Sequence, residues 1–456
     1  MVQAAYLRDP GAGAPKDPVF DLWPPAPQNA AATGLSAVFL EELILKTIHY
    51  AGPSTLEHLQ RRTGLTAAVV EEITDALRGL ALIDISTVQD HGGQNYSSLG
   101  YRFVLSGKGQ ARAQDALSRS RYAGLAPVVM EAYTDLARRQ SLRGSPATAE
   151  QIGRAMAPFV LQPLVRDSLA RAFHSGRPSL IYGDSGNGKT AIVDAYARSF
   201  GENVLIPGAL YVNGQTIRIY DPAVHKIADI AEHHASAQPA NSVLKGTAKP
   251  LDRRWIAVRR PVVVVGGELT ADDLELSYDT GGGFYQAPAH LKAQDGIFVI
   301  DDFGRQQVSP AALLNRWIVP LERGYDLLAL ATGERLNVPF EMSVLFSTNL
   351  SPSDLADEAF LRRIPYKVRL TGPTEGDMAE ITRREARIKN IEVDESAVQS
   401  LVAAVYRPDR PTPKAVYPRD LLMIIDDGAR YYGEKPVLTP EKIAAACDVY
   451  FVQENG

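Results

Sequence analysis

Apolar and polar residues are grouped along this chain in a way that predicts an α/β protein. Short apolar runs at 179–182, 297–300 and 343–348 have the length of buried strands, and each is followed by polar residues. Residues 191–200 instead place apolar residues at helical spacing, and an apolar helix opens at Tyr417. Short buried strands that alternate with helices indicate a parallel sheet with helices on both faces.

The first of these strands runs directly into a glycine-rich stretch that fits the pattern G-x-x-x-x-G-K-[ST]. Glycines allow successive backbone N–H groups to point at a phosphate, and the following helix begins with a dipole that favours anions. We therefore predict that this stretch binds ATP or GTP, with Lys189 on the β- and γ-phosphates and Thr190 on Mg²⁺. The predicted phosphate-binding residues are Gly183, Asp184, Ser185, Gly186, Asn187, Gly188, Lys189 and Thr190.

Two adjacent carboxylates, Asp301 and Asp302, end the second strand. Ligands of open α/β sheets bind at the carboxyl ends of the strands, so these side chains should lie beside the phosphate loop. Asp301 is predicted to hold Mg²⁺ directly or through water. Asp302 is predicted to be the base that polarises an attacking water, because phosphoryl transfer to water requires a positioned nucleophile.

Residues 150–456 resemble an AAA+ ATPase: a P-loop α/β module with a parallel sheet flanked by helices, followed by a helical lid. The resemblance rests on the motifs above together with Ser343–Leu350, Ala356–Ile364 and Tyr417–Leu421. It implies that Asn349 helps to orient the water and that Arg419 is a lid arginine that senses nucleotide. It also implies an arginine finger that acts on ATP in the neighbouring subunit, which is either Arg362 or Arg363.

Within AAA+ proteins the chain is most similar to the MoxR-like branch with a helix-2 insert. The segments that carry this similarity are Tyr278–Gln286, Gly296–Asp302, Ala311–Asn315, Leu321–Gly324, Leu330–Glu334 and Val338–Glu341. The similarity implies a hexameric ring that hydrolyses ATP with Mg²⁺ to remodel or assemble a protein partner. A cytoplasmic location is expected from the single cysteine and the missing signal-peptide pattern. Adenine is favoured over guanine by this similarity, and no Asn-Lys-x-Asp motif is present.

Two features depart from that branch. Most AAA+ proteins carry Asp-Glu where this chain has Asp301-Asp302, and the shorter side chain suggests slow basal hydrolysis. Residues 201–290 exceed a minimal module, and part of them predicts a hairpin with a type I′ turn at Asn213-Gly214. Phe284-Tyr285 fits equally an aromatic pore loop and a hairpin that packs on the next subunit.

Residues 34–118 resemble a winged helix-turn-helix domain, with helices near 38–48, 54–62 and 66–80, strands at 81–88 and 101–105, and a closing helix from Gln110. Such domains read DNA through the second helix of the turn pair. Here that helix carries Glu71, Glu72 and Asp75, and the wing tip at Asp90-His91 has no Lys or Arg. Carboxylates repel phosphates, so the sequence favours a protein-binding domain.

Composition adds limits on the class of protein. The 456 residues carry a formal net charge of −5, no run long enough to span a bilayer and no signal-peptide pattern. Cys447 is the one cysteine, which favours a reducing compartment. His225, His233 and His234 lack the spacing of a helical zinc site, so we expect solvated or capping roles.

The sequence predicts five segments. They are a Pro/Ala-rich tail at 1–33 that tethers or straps a neighbour, a winged-helix-like domain at 34–118, a helical linker at 119–150, an AAA+ nucleotide-binding domain at 151–372 and a helical lid at 373–456. Two alternatives to the protein remodeller stay open. One is a DNA-acting ATPase, a loader or regulator, targeted by the winged helix, and the other is a nucleotide-gated scaffold with slow turnover.

Overall fold

A computed structural model describes residues 17–87, 101–144, 146–200, 202–228, 250–355, 358–393, 395–408 and 410–451. Its helices are α1 Val19–Leu22, α2 Ala37–Ala51, α3 Leu56–Thr63, α4 Ala67–Gly79, α5 Gly107–Arg119, α6 Met130–Gln140, α7 Ala149–Met156, α8 Pro163–Ser175, α9 Lys189–Ser199, α10 Ala289–Lys292, α11 Pro310–Arg323, α12 Pro352–Leu355, α13 Glu358–Leu361, α14 Glu375–Lys389, α15 Glu395–Val405, α16 Tyr417–Tyr432 and α17 Pro440–Tyr450. Its strands are β1 Ile83–Thr87, β2 Tyr101–Leu105, β3 Val128–Val129, β4 Ser179–Tyr182, β5 Asn203–Pro207, β6 Ala209–Val212, β7 Gln215–Arg218, β8 Trp255–Arg259, β9 Val262–Val265, β10 Ser277–Asp279, β11 Phe284–Gln286, β12 Ile297–Ile300, β13 Tyr325–Ala329, β14 Arg335–Pro339, β15 Ser343–Thr348 and β16 Tyr366–Arg369. Short 3₁₀ helices lie at Ala31–Thr33 and Asp272–Leu274.

The chain divides into two compact units. The first unit comprises Met1–Gln140, Gly201–Pro261 and Leu276–Lys292, and the second comprises Ser141–Phe200, Val262–Glu275 and Ala293–Gly456. The domain boundaries given above are a finer division by sequence and remain predictions.

In the first unit, α2, α3, α4, β1, β2 and α5 follow one another in the order that the sequence predicts. Hydroxyl side chains fix where the helices begin: Ser36, Thr55, Thr66 and Ser106 each accept a hydrogen bond from a backbone N–H in the first turn. The Ser106 cap explains why α5 starts earlier than the predicted Gln110. The predicted wing tip at 88–100 lies outside the described residues.

The same unit contains a five-stranded sheet in the order β10-β11-β7-β6-β3. The predicted hairpin is confirmed, because β6 pairs antiparallel with β7 and both turn residues, Asn213 and Gly214, have positive φ angles of 49° and 80°. The predicted linker is helical only in part: Met130–Gln140 form α6, whereas Val128–Val129 form an edge strand parallel to β6. A two-residue strand carries too little pattern to be predicted from sequence.

Residues 17–34, which we call the strap, fold against their own chain. The Trp23 indole donates to the Asp252 carbonyl at 2.9 Å, and Pro25 bridges Leu251. Arg254 is buried, pairs with the Asp252 carboxylate at 2.8 Å and donates to the Thr33 carbonyl at 3.0 Å. The prediction that this tail straps a neighbour is therefore wrong for its described part, while residues 1–16 lie outside the described residues.

The second unit is built on a parallel sheet in the order β16-β4-β15-β12-β9. One face packs on α7, α8 and α9, with Ile297 and Val299 in that core. The alternate residues Phe298 and Phe346 contact Trp317 of α11 on the other face. The predicted fold, a parallel sheet flanked by helices, is confirmed.

The C-terminal region of the second unit is helical, as predicted. Helices α14 to α17 share a core that includes Met378, Leu401, Leu421 and Cys447. The described residues between α15 and α16 form a loop, as the prolines there predict. None of the helices in the described ranges combines the length and apolar character that crossing a membrane requires.

Candidate functional site

The sheet order brings three polar strand ends together. Strand β4 leads into the glycine-rich loop, β15 ends beside it at Thr348, and β12, next to β15, leads into Asp301. Parallel strands end at the same edge of a sheet, so residues more than a hundred positions apart meet there.

The glycine-rich loop requires glycine at its start. Gly183, Gly186 and Gly188 all have positive φ angles, of 136°, 87° and 86°. A Cβ on Gly183 would lie 2.2 Å from the Leu370 carbonyl oxygen, which belongs to the backbone just after β16. The backbone of the loop can therefore approach β16 only because position 183 has no side chain. Helix α9 begins directly after the loop, at Lys189.

Lys189 is buried and extends back over the loop. Its ammonium group donates to the Gly183 carbonyl at 2.7 Å, the Asp184 carbonyl at 3.0 Å and the Asn349 Oδ1 at 2.6 Å. Burial lowers the pKa of Lys189, and the carboxylates of Asp302, Asp301 and Asp184 act in the opposite direction. An anion at this loop would add negative charge beside the ammonium and so favour its charged form further.

Thr190 and Asp301 form a pair of oxygen ligands. The Thr190 hydroxyl donates to Asp301 Oδ2 at 3.1 Å. The backbone around Asp301 is fixed, because its N–H donates to Val265 at the end of β9 and its carbonyl accepts from the Gln306 amide at 2.9 Å. A hydroxyl beside a carboxylate, both next to a phosphate loop, is a donor set that suits Mg²⁺, which keeps several waters and takes few protein ligands.

Asn349 connects the two halves of the site. Its amide nitrogen donates to Asp302 Oδ1 at 3.2 Å, while its oxygen accepts from Lys189. This is the amide orientation that suits both partners. Asp302 has a left-handed backbone, with φ of 49°, a conformation that Asp and Asn adopt more readily than most residues.

Sequence reasoning missed Gln306, which donates to the carbonyls of both aspartates and fixes their turn. No motif in the sequence marks it, because its role depends on how the chain turns after β12.

The two predicted finger arginines differ in their surroundings. Arg363 forms an ion pair with Glu322 at 3.0 Å and its side chain is 23% exposed. Arg362 is exposed at the end of α13, and within the described ranges no ion pair holds it. Arg362 is therefore the better placed of the two to reach another molecule.

The predicted lid contacts the loop through residues that sequence reasoning missed. The Val416 N–H donates to the Gly186 carbonyl at 3.0 Å, and the Ala415 N–H donates to Asn187 Oδ1 at 3.3 Å. Lys414 packs against Gly186 and is close enough to lower the pKa of Lys189 further. Arg419, the predicted sensor, is exposed and pairs with Asp420 at 3.0 Å. The sequence signal that could have identified Lys414 is its position as a basic residue shortly before α16.

A small cavity of about 30 Å³ lies beside the loop in the second unit. Its lining is about equally polar and apolar, and the apolar part includes Val160, Leu161, Leu370, Pro373 and Ala415. Asn187 and Asp377 add polar groups to it.

The predicted aromatic pair Phe284-Tyr285 and the predicted histidine His225 both lie in the first unit, where they pack within the chain. Tyr285 is buried in β11, and Phe284 packs on Tyr122 with ring centroids 5.7 Å apart, so these aromatics pack within their own chain. His225 is buried and bonded on both ring nitrogens, to the Asp221 N–H and the Lys292 carbonyl. Burial lowers the pKa of His225. His233 and His234 lie outside the described residues.

Comparison with known proteins gives limited similarity. Residues 374–449 match a family model described as a domain of unknown function, DUF8689. No curated protein sequence matches the chain.

Among solved structures, a mutant of RuvB from Thermotoga maritima is similar at 13% identity and a TM-score of 0.38, over 64% of this chain and 71% of that one. NtrX from Brucella abortus in complex with ATP is similar at 15% identity and a TM-score of 0.37, over 65% of this chain and 56% of that one. Similarities of this size leave the function of this chain to be argued from its own residues.

Changing Gly183 to Ala should abolish nucleotide binding, because the new Cβ would collide with backbone and position 183 has a φ angle that Ala avoids. Gly433→Ala is the matched control, since its φ is +69° but no atom lies within 4 Å of the new Cβ. That control should cost about 1 kcal/mol of stability and leave binding intact. Binding of a fluorescent ATP analogue, with thermal melts of both variants, tests this. Unchanged binding by a folded Gly183→Ala protein would contradict it.

Proposed function

We propose that this protein is an AAA+ ATPase of the MoxR-like kind that remodels or assembles a protein partner. One observation carries the proposal: Asn349 bridges Lys189 and Asp302 while Thr190 pairs with Asp301, at the edge where three parallel strands end. These are the residue types that phosphoryl transfer to water requires, namely a cationic side chain for the phosphates, Mg²⁺ ligands and a carboxylate beside a polar amide.

Each residue then has a role in binding or turnover. The loop from Gly183 to Gly188 cradles the phosphates, and Lys189 exchanges its carbonyl partners for phosphate oxygens. Mg²⁺, held by Thr190 and Asp301, would neutralise charge on the phosphates. Asp302 and Asn349 position the attacking water, and the hydrogen bond between them aligns the carboxylate before nucleotide arrives.

The lid and the neighbouring subunit complete the proposed site. Lys414 supplies a second cation near the loop. Bound nucleotide is sensed by Lys414 or by Arg419, and the lid moves in response. Adenine is favoured as the base by the resemblance alone. Arg362 acts as the finger in a hexameric ring, which makes hydrolysis depend on assembly. We place the protein in the cytoplasm.

The first test is the steady-state ATPase rate of the full-length protein with and without duplex and single-stranded DNA. Asp301→Ala serves as the blank, because it removes a proposed Mg²⁺ ligand. We expect a rate above the blank that DNA does not change, since the exposed face of α4 carries Glu71, Glu72 and Asp75. Stimulation by DNA would favour the loader or regulator, and a rate equal to the blank would contradict the ATPase.

The arginine finger is tested by changing Arg362 and Arg363 to Ala, together and singly. The double variant and Arg362→Ala should bind ATP normally but lose turnover, because a finger contributes about 10³ to 10⁵ in rate. Arg363→Ala should chiefly lower stability, since it breaks the pair with Glu322. Arg430→Ala, at a side chain 74% exposed, is the control. Full hydrolysis by the double variant would remove the finger from the proposal.

A second candidate, a nucleotide-gated scaffold with slow turnover, is favoured by the short side chain at Asp302. Asp302→Glu separates the two candidates. For the ATPase we expect the rate to fall, because a left-handed backbone disfavours Glu and the longer side chain displaces Asn349. A rise of about tenfold or more would favour the scaffold. Asp302→Asn, which removes the charge but keeps the shape, should be inactive in the first case.

A further inference from the structure

The hairpin of β1 and β2 has one closed edge and one open edge. Ser54 closes the outer edge of β2: its N–H donates to the Phe103 carbonyl at 3.0 Å, and its carbonyl accepts from the Phe103 N–H at 2.8 Å. Within the part of the chain that the structure describes, no strand pairs with the other edge of β1. The hairpin is therefore a two-stranded sheet with β1 available on one side.

The position of Ser54 shows which groups of β1 face that open side. Phe103 lies opposite Ile85 in the antiparallel register, and its N–H and carbonyl both point away from β1, toward Ser54. The pair of Ile85 and Phe103 is thus a non-hydrogen-bonded pair, in which both residues direct their backbone groups outward. It follows that the Ile85 N–H and carbonyl point to the open edge, where a further strand could receive both.

A groove runs along this edge. It has a volume of about 520 Å³ and is lined by Asp75, Arg78, Gly79, Ile83, Asp84 and Ile85, from the end of α4 and the start of β1. Ile85 is 38% exposed and gives the groove an apolar part.

The charges in the groove leave one carboxylate without a counter-ion. Arg78 pairs with Asp75 at 3.2 Å. Asp84 is exposed and, over the described ranges, has no ion pair. Glu71, one turn before Asp75 on α4, is exposed as well. The groove therefore carries one uncompensated negative charge, at Asp84, which suits a cationic partner and disfavours nucleic acid.

We propose that an extended, basic segment of a partner protein binds in this groove as a third strand beside β1. The Ile85 backbone groups supply main-chain hydrogen bonds, an apolar side chain of the segment covers Ile85, and a Lys or Arg pairs with Asp84. Backbone pairing gives affinity, and the alternating apolar and basic side chains give specificity. This inference goes beyond the ATPase and does not depend on nucleotide, so binding is measured without it.

The probe is a capped, fluorescently labelled peptide of alternating Lys and Val, about seven residues long, which is an ordinary strand length. We expect it to bind the full-length protein, and two matched peptides to bind at least about tenfold more weakly. The first replaces every Lys by Glu. The second is N-methylated at every residue, so it keeps the charges but has no N–H groups for a ladder. No binding of the Lys peptide at about 1 mM would overturn the proposal.

Two protein variants, each with a matched control variant, locate the site. Asp84→Lys should weaken binding of the Lys peptide at least about tenfold, whereas Asp427→Lys, a charge reversal at an exposed position in the second unit, should not. Ile85→Pro removes the outward N–H without touching the β1 to β2 ladder, so it should weaken binding of the Lys peptide. Ile85→Val keeps that N–H and is its control, so it should bind the peptide like the native protein. Equal binding by Asp84→Lys and the native protein would overturn the proposal. Equal affinity of the N-methylated peptide would overturn strand addition, even if Ile85→Pro failed to fold.

Discussion

The candidate site depends on the convergence of a lysine, an amide and a carboxylate that come from three different strands. Lys189 follows β4, Asn349 follows β15 and Asp302 follows β12, and the amide of Asn349 contacts both charged groups. Burial makes the charge of Lys189 costly, and the surrounding carbonyls and carboxylates offset that cost. The site is thereby held together by polar contacts that a bound phosphate can take over one by one.

This convergence explains why the sequence was informative about the centre of the site. The loop residues are consecutive, so their pattern is visible in the chain itself, and Asp301, Asp302 and Asn349 each follow a short apolar run. The parallel arrangement then places all of these ends at one edge. The fold class could be predicted for the same reason, because buried strands that alternate with helices have few other ways to cover both faces.

Contacts between distant loops could not be predicted in this way. The backbone of Val416 binds Gly186, and Gln306 binds the carbonyls of the two aspartates, yet neither residue belongs to a motif. The aromatic pair Phe284 and Tyr285 has the composition of an exposed gripping loop, but the sheet of the first unit buries Tyr285. Composition gives the chemistry of such residues, whereas the partners of the segment decide whether that chemistry is exposed.

The strap shows what a long-range contact means for the order of folding. Arg254, which holds the carbonyl of Thr33, lies 221 residues further along the chain. A ribosome adds about 5 to 20 residues each second. Synthesis of Arg254 therefore follows that of the strap by roughly ten to forty seconds. Over that interval Trp23 has no Asp252 carbonyl to bind, and the apolar residues of the nascent N-terminal segment stay accessible to chaperones.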